Sequence, residues 1–236
     1  MDWRRFLWST AVVGANVFLC PHDHAHELEF HRLDQNSYRN LVGTDAAAEF
    51  GALSDQVLRH CESCHGPQGS GRGLGAAPRL AGQRVDYLYR SLSAYALRQR
   101  FSGIMQPVAA RLTDEQMLRL AQHYANLPLN ALTQTSHATT AIQRGEKIAN
   151  EGIREQRVPA CNSCHLQNGP RNPMYPELSG QYANYIVLQL KLFQRDQRGG
   201  TPYAHLMRHV APHLNEEQIQ DVALYYESLV PRHFQD

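Results

Sequence analysis

Two short stretches decide the fold: Cys61-Glu-Ser-Cys64-His65 and Cys161-Asn-Ser-Cys164-His165. Both have the form C-x-x-C-H, which is the attachment signature of c-type haem. The spacing has a chemical reason, because two thiols three positions apart can add to the two vinyl groups of one porphyrin. The His that follows then lies under the iron and can supply the proximal imidazole nitrogen. The sequence therefore predicts two covalently bound haem c groups, one at each stretch.

Two other kinds of site also use paired cysteines. Four thiols in two C-x-x-C pairs can form a Cys₄ zinc site, although the His after each pair then has no role. A thioredoxin-like dithiol would need β-α-β patterning, which the sequence lacks. Haem is the interpretation that uses both thiols and the His of each stretch, and zinc is its main alternative.

The similarity between the two halves continues beyond the cysteines. The segment Pro78-Arg-Leu-Ala-Gly-Gln83 corresponds to Pro176-Glu-Leu-Ser-Gly-Gln181, and Met105-x-x-x-Ala109-x-x-Leu112 corresponds to Met207-x-x-x-Ala211-x-x-Leu214. Three matched positions stand out in this repeat: Gln83, Tyr87 and Arg100 in one copy correspond to Gln181, Tyr185 and Arg198 in the other. The tyrosines and arginines either bind haem propionates or pack, and the sequence leaves the choice open. The chain is an internal duplication.

Helical signals follow the same repeat. Thr113 with Gln116 has the pattern of a capping box, and Asn215 with Gln218 is a looser equivalent. The apolar stripes that follow have the helical period; they are Met117, Leu120, Ala121, Tyr124 and Leu127, then Ile219, Val222, Ala223, Tyr226 and Leu229. A helix is also predicted before each C-x-x-C-H stretch, over 46–60 and 141–155. With no convincing strand, the sequence predicts an all-α fold.

The repeat and the composition predict the organisation of the chain. We expect a signal peptide or N-terminal anchor at 1–25, an extension at 26–43, a first domain at 44–128, a linker at 129–143 and a second domain at 144–236. The linker is expected because Ser, Thr, Asn and Ala dominate 128–140 without apolar periodicity.

The N-terminus predicts export. Arg4 and Arg5 precede an apolar run from Phe6 to Cys20, which is typical of a secretory signal and short of the roughly 20 residues of a membrane span. We therefore expect a periplasmic protein, with an uncleaved anchor and peripheral membrane association left open. Cys20 is either discarded with the signal or lipidated. The run His22, His24, His26 and His31 is interpreted as a disordered terminus rather than a metal site.

The charge balance argues against nucleic acid as a partner. Lys and Arg number 23 against 22 Asp and Glu, for a formal net charge of +1. A nucleic-acid binder normally carries a strongly basic stripe. The sequence shows none, so no nucleic acid is expected as a partner.

With these motifs, residues 44–232 resemble class I cytochrome c, and the tandem arrangement resembles bacterial dihaem cytochrome c4. The resemblance implies two tandem domains, each wrapped around one covalent haem. It also implies His65 and Met105 as axial ligands of one iron, and His165 and Met207 as those of the other. Pro78 and Pro176 would offer backbone carbonyls to the second ring nitrogens of the histidines.

The two expected distal iron ligands can be compared with the other Met and His side chains near them in the sequence. Met105 and Met207 occupy matching places, whereas Met117 belongs to an apolar stripe and Met174 lies only nine positions after His165. The sequence also places His205, His209 and His213 around Met207, and any of them can in principle bind iron. A bis-His site would have a lower reduction potential than a His/Met site.

If both irons carry His and Met, neither has an open position for a substrate. We therefore expect an electron carrier rather than an enzyme. The resemblance implies that it works between a quinol-oxidising complex and a terminal oxidase or periplasmic reductase. One alternative is the haem subunit of a dehydrogenase. The other is a dihaem enzyme of the peroxidase or thiosulfate dehydrogenase type, in which one iron is open.

Overall fold

The computed structural model describes residues 53–72, 77–128, 139–165, 172 and 174–230. All of them belong to one compact unit. The expected signal peptide, the extension, Cys20 and the N-terminal His run lie outside the described residues, as does most of the expected linker.

The described residues form helices joined by short turns. The first copy contains α1 (Asp55–His65), α2 (Val85–Ala96), α3 (Met105–Ala109) and α4 (Asp114–Ala125), with a 3₁₀ turn at Pro67–Gly69. The second contains α5 (Thr139–Glu151), α6 (Asn162–His165), α7 (Ala183–Gln194), α8 (Ala204–Val210) and α9 (Glu216–Ser228), with 3₁₀ turns at Arg154–Gln156 and Ala211–His213. Within these ranges the only β-type pairing is two isolated bridges. The prediction of an all-α fold is confirmed.

Both predicted capping boxes are present. The Thr113 hydroxyl accepts from the Gln116 N–H at 3.2 Å, and the Gln116 side chain accepts from the Thr113 N–H at 3.0 Å. The looser pair at α9 is equally complete, since both Asn215–Gln218 contacts measure 2.9 Å. Each box pairs two backbone donors that the first turn of a helix would leave free. The two copies therefore start their last helix in the same way.

Each copy has its own hydrophobic cluster. In the first, Met117 on α4 is fully buried and packs with residues of α2. In the second, Ile219 on α9 is fully buried at the corresponding place, among residues of α5 and α7. The predicted apolar stripes are therefore the core faces of α4 and α9. Two clusters agree with the expected pair of domains, whose boundaries stay a prediction.

The helix next to the cysteines differs between the copies. Helix α1 runs through the first C-x-x-C-H stretch to His65, whereas α5 ends at Glu151 and the separate helix α6 carries the second stretch. Gly152 ends α5 with φ +74°, and its N–H bonds to Ile148 O at 2.9 Å. A left-handed residue at this place terminates a helix, so the expected helix over 141–155 stops four residues early.

No helix among the described residues is both long and apolar enough to cross a membrane.

Helices α5 and α9 lie in close contact at Gly145. A Cβ atom built on this residue would lie 2.0 Å from Asp221 O. Beside it, the Arg144 guanidinium holds the buried Asp221 carboxylate with two contacts of 2.6 and 2.8 Å. The lack of a side chain at Gly145 and the Arg144–Asp221 ion pair together fix how α5 packs on α9.

We expect Gly145→Ala to destabilise the protein by about 1–3 kcal/mol, because a methyl group would force the two backbones apart. Urea unfolding followed by circular dichroism measures the loss. Gly103→Ala is the matched control, since nothing lies within 4 Å of a Cβ there. Equal midpoints for the two variants would contradict the close approach.

Candidate haem sites and the seam between them

The first candidate site is built at the end of α1. His65 is buried, and its Nδ1 lies 2.9 Å from Pro78 O. A carbonyl only accepts, so Nδ1 carries the proton and Nε2 keeps a lone pair. Burial lowers the pKa of His65, against the opposing effect of the bond to Pro78. A neutral imidazole with one nitrogen anchored and the other free to bind is the form that ligates iron.

The second candidate site repeats this arrangement. His165 ends α6, is buried, and places Nδ1 3.0 Å from Pro176 O. The Tyr175 ring lies beside it, with 6.0 Å between ring centroids. The structure therefore brings Pro78 and Pro176 to the positions that the resemblance implied, although the roles of these residues stay proposals.

The cysteines fit covalent attachment better than zinc. All four lack a disulfide, and Cys61 packs against the first hydrophobic cluster whereas Cys161 packs against the second. The two pairs are thus parts of different cores, and the described residues hold no group of three or more possible metal-binding side chains. Burial raises the pKa of Cys161 to about 11.

The expected distal methionines occupy comparable but not identical places. Met105 is the first residue of α3, half-buried, and its N–H bonds to Ser102 Oγ at 3.1 Å. Met207 lies within α8 and packs against the second cluster. The rival side chains His205, His209 and His213 are all exposed. Met117, by contrast, is core.

The loops after the proximal histidines pair across the two copies. Gln181 accepts from the Arg79 N–H at 3.0 Å and donates to Arg79 O at 3.1 Å. In the mirror arrangement, Gln83 accepts from the Glu177 N–H at 2.8 Å and donates to Glu177 O at 2.9 Å. All four residues are buried. We call this pairing of 78–83 with 176–181, together with the contacts of Arg100 and Arg198, the seam.

We expect Gln181→Ala to cost about 2–4 kcal/mol, because it leaves the buried N–H and C=O of Arg79 without that partner. The weakened seam should also let the two copies unfold in separate urea transitions, which circular dichroism detects. Gln220→Ala removes an amide from an exposed surface and serves as control. A single transition with the control's midpoint would contradict this role of Gln181.

Two buried arginines complete the seam. The Arg100 guanidinium donates to Tyr185 Oη at 2.8 Å, and the Arg198 guanidinium donates to Tyr87 Oη at 2.5 Å. Each arginine therefore reaches the tyrosine of the other copy. The two arginines also form an isolated antiparallel bridge through their backbones.

Sequence reasoning identified some of these residues but not their arrangement. The repeat singled out Gln83, Gln181, Arg100 and Arg198 without showing that the copies bind each other. It missed Glu177 altogether, because that position aligns with Arg79 and because Glu177 takes part in the contact with Gln83 only through its backbone N–H and C=O. The sequence signal for this contact was the Gln at the same place in both copies, because a side-chain amide can bond to the backbone N–H and C=O of any residue.

An all-helical fold with two buried, carbonyl-anchored histidines after paired cysteines defines a dihaem class I c-type cytochrome. No protein-family model matches the chain. Cytochrome c4 of Thiocapsa roseopersicina is 34% identical over 172 residues, covering 72% of this chain and 86% of that protein. Cytochrome c-552 of Acidithiobacillus ferridurans is 33% identical over 198 residues, which cover 80% of this chain and 84% of that protein. The thiosulfate dehydrogenase electron acceptor of Stutzerimonas stutzeri is 31% identical over 170 residues, which cover 72% of this chain and 78% of that protein.

Solved structures of related proteins have a similar fold. Cytochrome c4 of Acidithiobacillus ferrooxidans superposes with a TM-score of 0.65 at 32% identity, covering 72% of this chain and 99% of that one. The thiosulfate dehydrogenase of Marichromatium purpuratum gives a TM-score of 0.63 at 30% identity, but the match spans only 36% of that chain. The chain belongs to the cytochrome c4 family of dihaem electron-transfer proteins. It accordingly carries two covalent haem c groups, whose attachment motif the two cysteine pairs fit.

Proposed function

We propose that the chain is an exported electron carrier in which Cys61 and Cys64 hold one haem, and Cys161 and Cys164 the other. His65 and Met105 would then bind the iron of the first haem, and His165 and Met207 that of the second. The observation that carries the proposal is the buried imidazole anchored through Nδ1 at both sites. The bound haem supplies one-electron chemistry, whose potential the axial ligands tune.

The ligand set favours a carrier over an enzyme. Two protein ligands per iron would leave no position for a substrate, so the bound haems would supply electron transfer without bond making. The protein's task is then to hold two haems in one body. The seam supports this role, because reciprocal hydrogen bonds of 2.8–3.1 Å join the loop beside one proximal His to the loop beside the other. An electron can enter at one copy and leave at the other.

Two kinds of electron donor are consistent with the chain. The first is a quinol-oxidising complex, with a terminal oxidase or periplasmic reductase as acceptor. The second is a sulfur-compound dehydrogenase, which is favoured by the similarity to a protein named as the electron acceptor of thiosulfate dehydrogenase. The N-terminal basic and apolar segment supports export to the periplasm.

Mixing experiments separate these functions. Oxidised holoprotein is added anaerobically to membranes with a quinol and, separately, to purified thiosulfate dehydrogenase with thiosulfate, while the α-band absorbance follows reduction. We expect reduction only when the donor enzyme is present. The holoprotein alone with thiosulfate is the control. Reduction in that control, or turnover of peroxide by the holoprotein, would contradict the carrier role and favour an enzyme with one open iron.

A further inference from the structure

Helix α8 carries two exposed histidines that the expected haem ligands do not include. His205 and His209 lie four positions apart within Ala204–Val210, and both are exposed. Side chains at i and i+4 of an α-helix are neighbours, with about 5–6 Å between their Cβ atoms. The same spacing places two imidazoles on one helix face to bind zinc in the H-E-x-x-H motif. The two histidines of α8 therefore have the geometry of a two-ligand metal site.

The length of α8 creates this geometry. In the first copy, α3 begins at Met105 itself. In the second copy, α8 begins at Ala204, three residues before the corresponding Met207. The additional residues bring His205 into the same helix as His209, so that both side chains project from one regular backbone.

The first copy has no such pair. When Met105 is aligned with Met207, Gly103 and Pro107 stand where the second copy has its two histidines. Neither glycine nor proline has a side chain that can donate a lone pair to a metal ion. The pair is therefore a property of the second copy alone, and the first copy provides an internal comparison.

Both imidazoles are available for coordination. The His205 ring lies beside Tyr203, with 6.4 Å between ring centroids. Within the described residues, no hydrogen bond or ion pair holds the imidazole of His205 or of His209. A neutral imidazole offers one nitrogen lone pair, and imidazole is a ligand that suits zinc, copper and nickel. Two such donors on one helix face favour a borderline divalent ion over calcium or magnesium.

The charges around the pair permit a bound cation. Arg208 directly precedes His209, and its guanidinium donates to the Asp196 carboxylate at 3.0 Å. That carboxylate offsets a charge that would otherwise oppose a metal ion. The described residues contain no group of three or more possible metal-binding side chains. Water would therefore complete the coordination, as it does at zinc sites that keep an open position.

We propose that His205 and His209 form a surface site for a divalent transition-metal ion, Zn²⁺ or Cu²⁺, beside the distal ligand of the second haem. The two histidines flank Met207 on one helix. A cation bound there favours the reduced, less positive haem, so metal binding raises the potential of the second haem more than that of the first. This effect on the potential rests on the proposed haem ligands, whereas metal binding itself does not.

Metal binding is tested on oxidised holoprotein by calorimetric titration with Zn²⁺. His205→Gln and His209→Gln should each weaken binding on the order of tenfold, because the second imidazole binds as an intramolecular ligand. His213→Gln is the matched control, since it removes an exposed histidine just after α8. Histidines of the N-terminal segment are the same in every variant. Equal binding in all the proteins, or an equal loss in His213→Gln, would overturn the site.

Copper gives a spectroscopic signature that a structural role would not move. The electron paramagnetic resonance spectrum of Cu²⁺ bound to oxidised wild type should show hyperfine coupling to two imidazole nitrogens. His205→Gln and His209→Gln should each lose one of the two couplings, and His213→Gln should keep both. The same nitrogen coupling in wild type and in His209→Gln would overturn the assignment of the pair.

The effect on the haem is measured with Zn²⁺, which has no redox chemistry of its own. In a spectroelectrochemical titration at low ionic strength, Zn²⁺ should raise the electron affinity of one haem on the order of threefold, and His205→Gln should abolish the rise. Equal shifts of both haems, or Zn²⁺ binding without any shift, would overturn the coupling. Failure of the carrier role would appear in the mixing experiments, which do not involve the metal, and is therefore distinguishable from failure of this site.

Discussion

Replacing both Cys161 and Cys164 with Ser is expected to halve the haem content, from two groups per chain to one. Serine hydroxyls do not add to vinyl groups under the conditions of haem attachment, so the second haem loses its covalent link. Cys161 packs on the second hydrophobic cluster, and that cluster would lose the large apolar group beside it. We therefore also expect a loss of helix in the second copy. Pyridine haemochrome analysis and circular dichroism measure the two effects.

The fifth cysteine provides the control for this variant. Cys20 lies outside the two C-x-x-C-H stretches, so Cys20→Ser should keep two haems in the protein that is recovered. Two haems in the Cys161→Ser, Cys164→Ser variant would show that attachment does not depend on this pair. Zinc in place of haem in the wild-type protein would contradict the account as a whole.

Replacing Met105 with His is expected to lower the potential of the first haem by a few tenths of a volt, within the roughly 0.8 V that axial ligands span. A thioether favours the reduced iron, whereas a second imidazole favours the oxidised iron. The near-infrared band from iron–methionine sulfur charge transfer should fall to half its wild-type intensity. Redox titration and the near-infrared spectrum of the oxidised protein measure both effects.

Met117→Leu is the matched control for the ligand variant. Met117 is fully buried in the first hydrophobic cluster, and a Leu of similar volume should cost less than about 1.5 kcal/mol. Its charge-transfer band and potentials should equal those of wild type. An unchanged band in Met105→His, or a halved band in Met117→Leu, would show that the distal ligand has been misassigned.

The sequence predicted the parts of the fold that local chemistry specifies. The capping boxes at Thr113 and Asn215 and the apolar faces of α4 and α9 are local patterns, and the structure contains all of them. The places of Pro78 and Pro176 were equally predictable, because the resemblance ties each to a nearby His. Such features depend on residues close in the chain or on one well-defined motif.

Long-range features were harder to predict. The end of α5 depends on the left-handed backbone of Gly152, and a glycine inside a helical pattern is tolerated often enough that it does not fix a boundary. The seam depends on contacts between residues about 100 positions apart. A repeat shows which residues match, but not whether the copies pack together. The buried state of Arg100 and Arg198 follows from that packing and was therefore invisible in the sequence.

We infer that the chain binds two haems, each through a His and a Met. The most direct test is the optical spectrum of holoprotein made with a c-type haem maturation system, combined with a pyridine haemochrome count. We expect two haems per chain, a charge-transfer band with the intensity of two iron–methionine bonds, and no spectral change when carbon monoxide is added to the reduced protein. One haem per chain, half of that band, or a shift with carbon monoxide would contradict it.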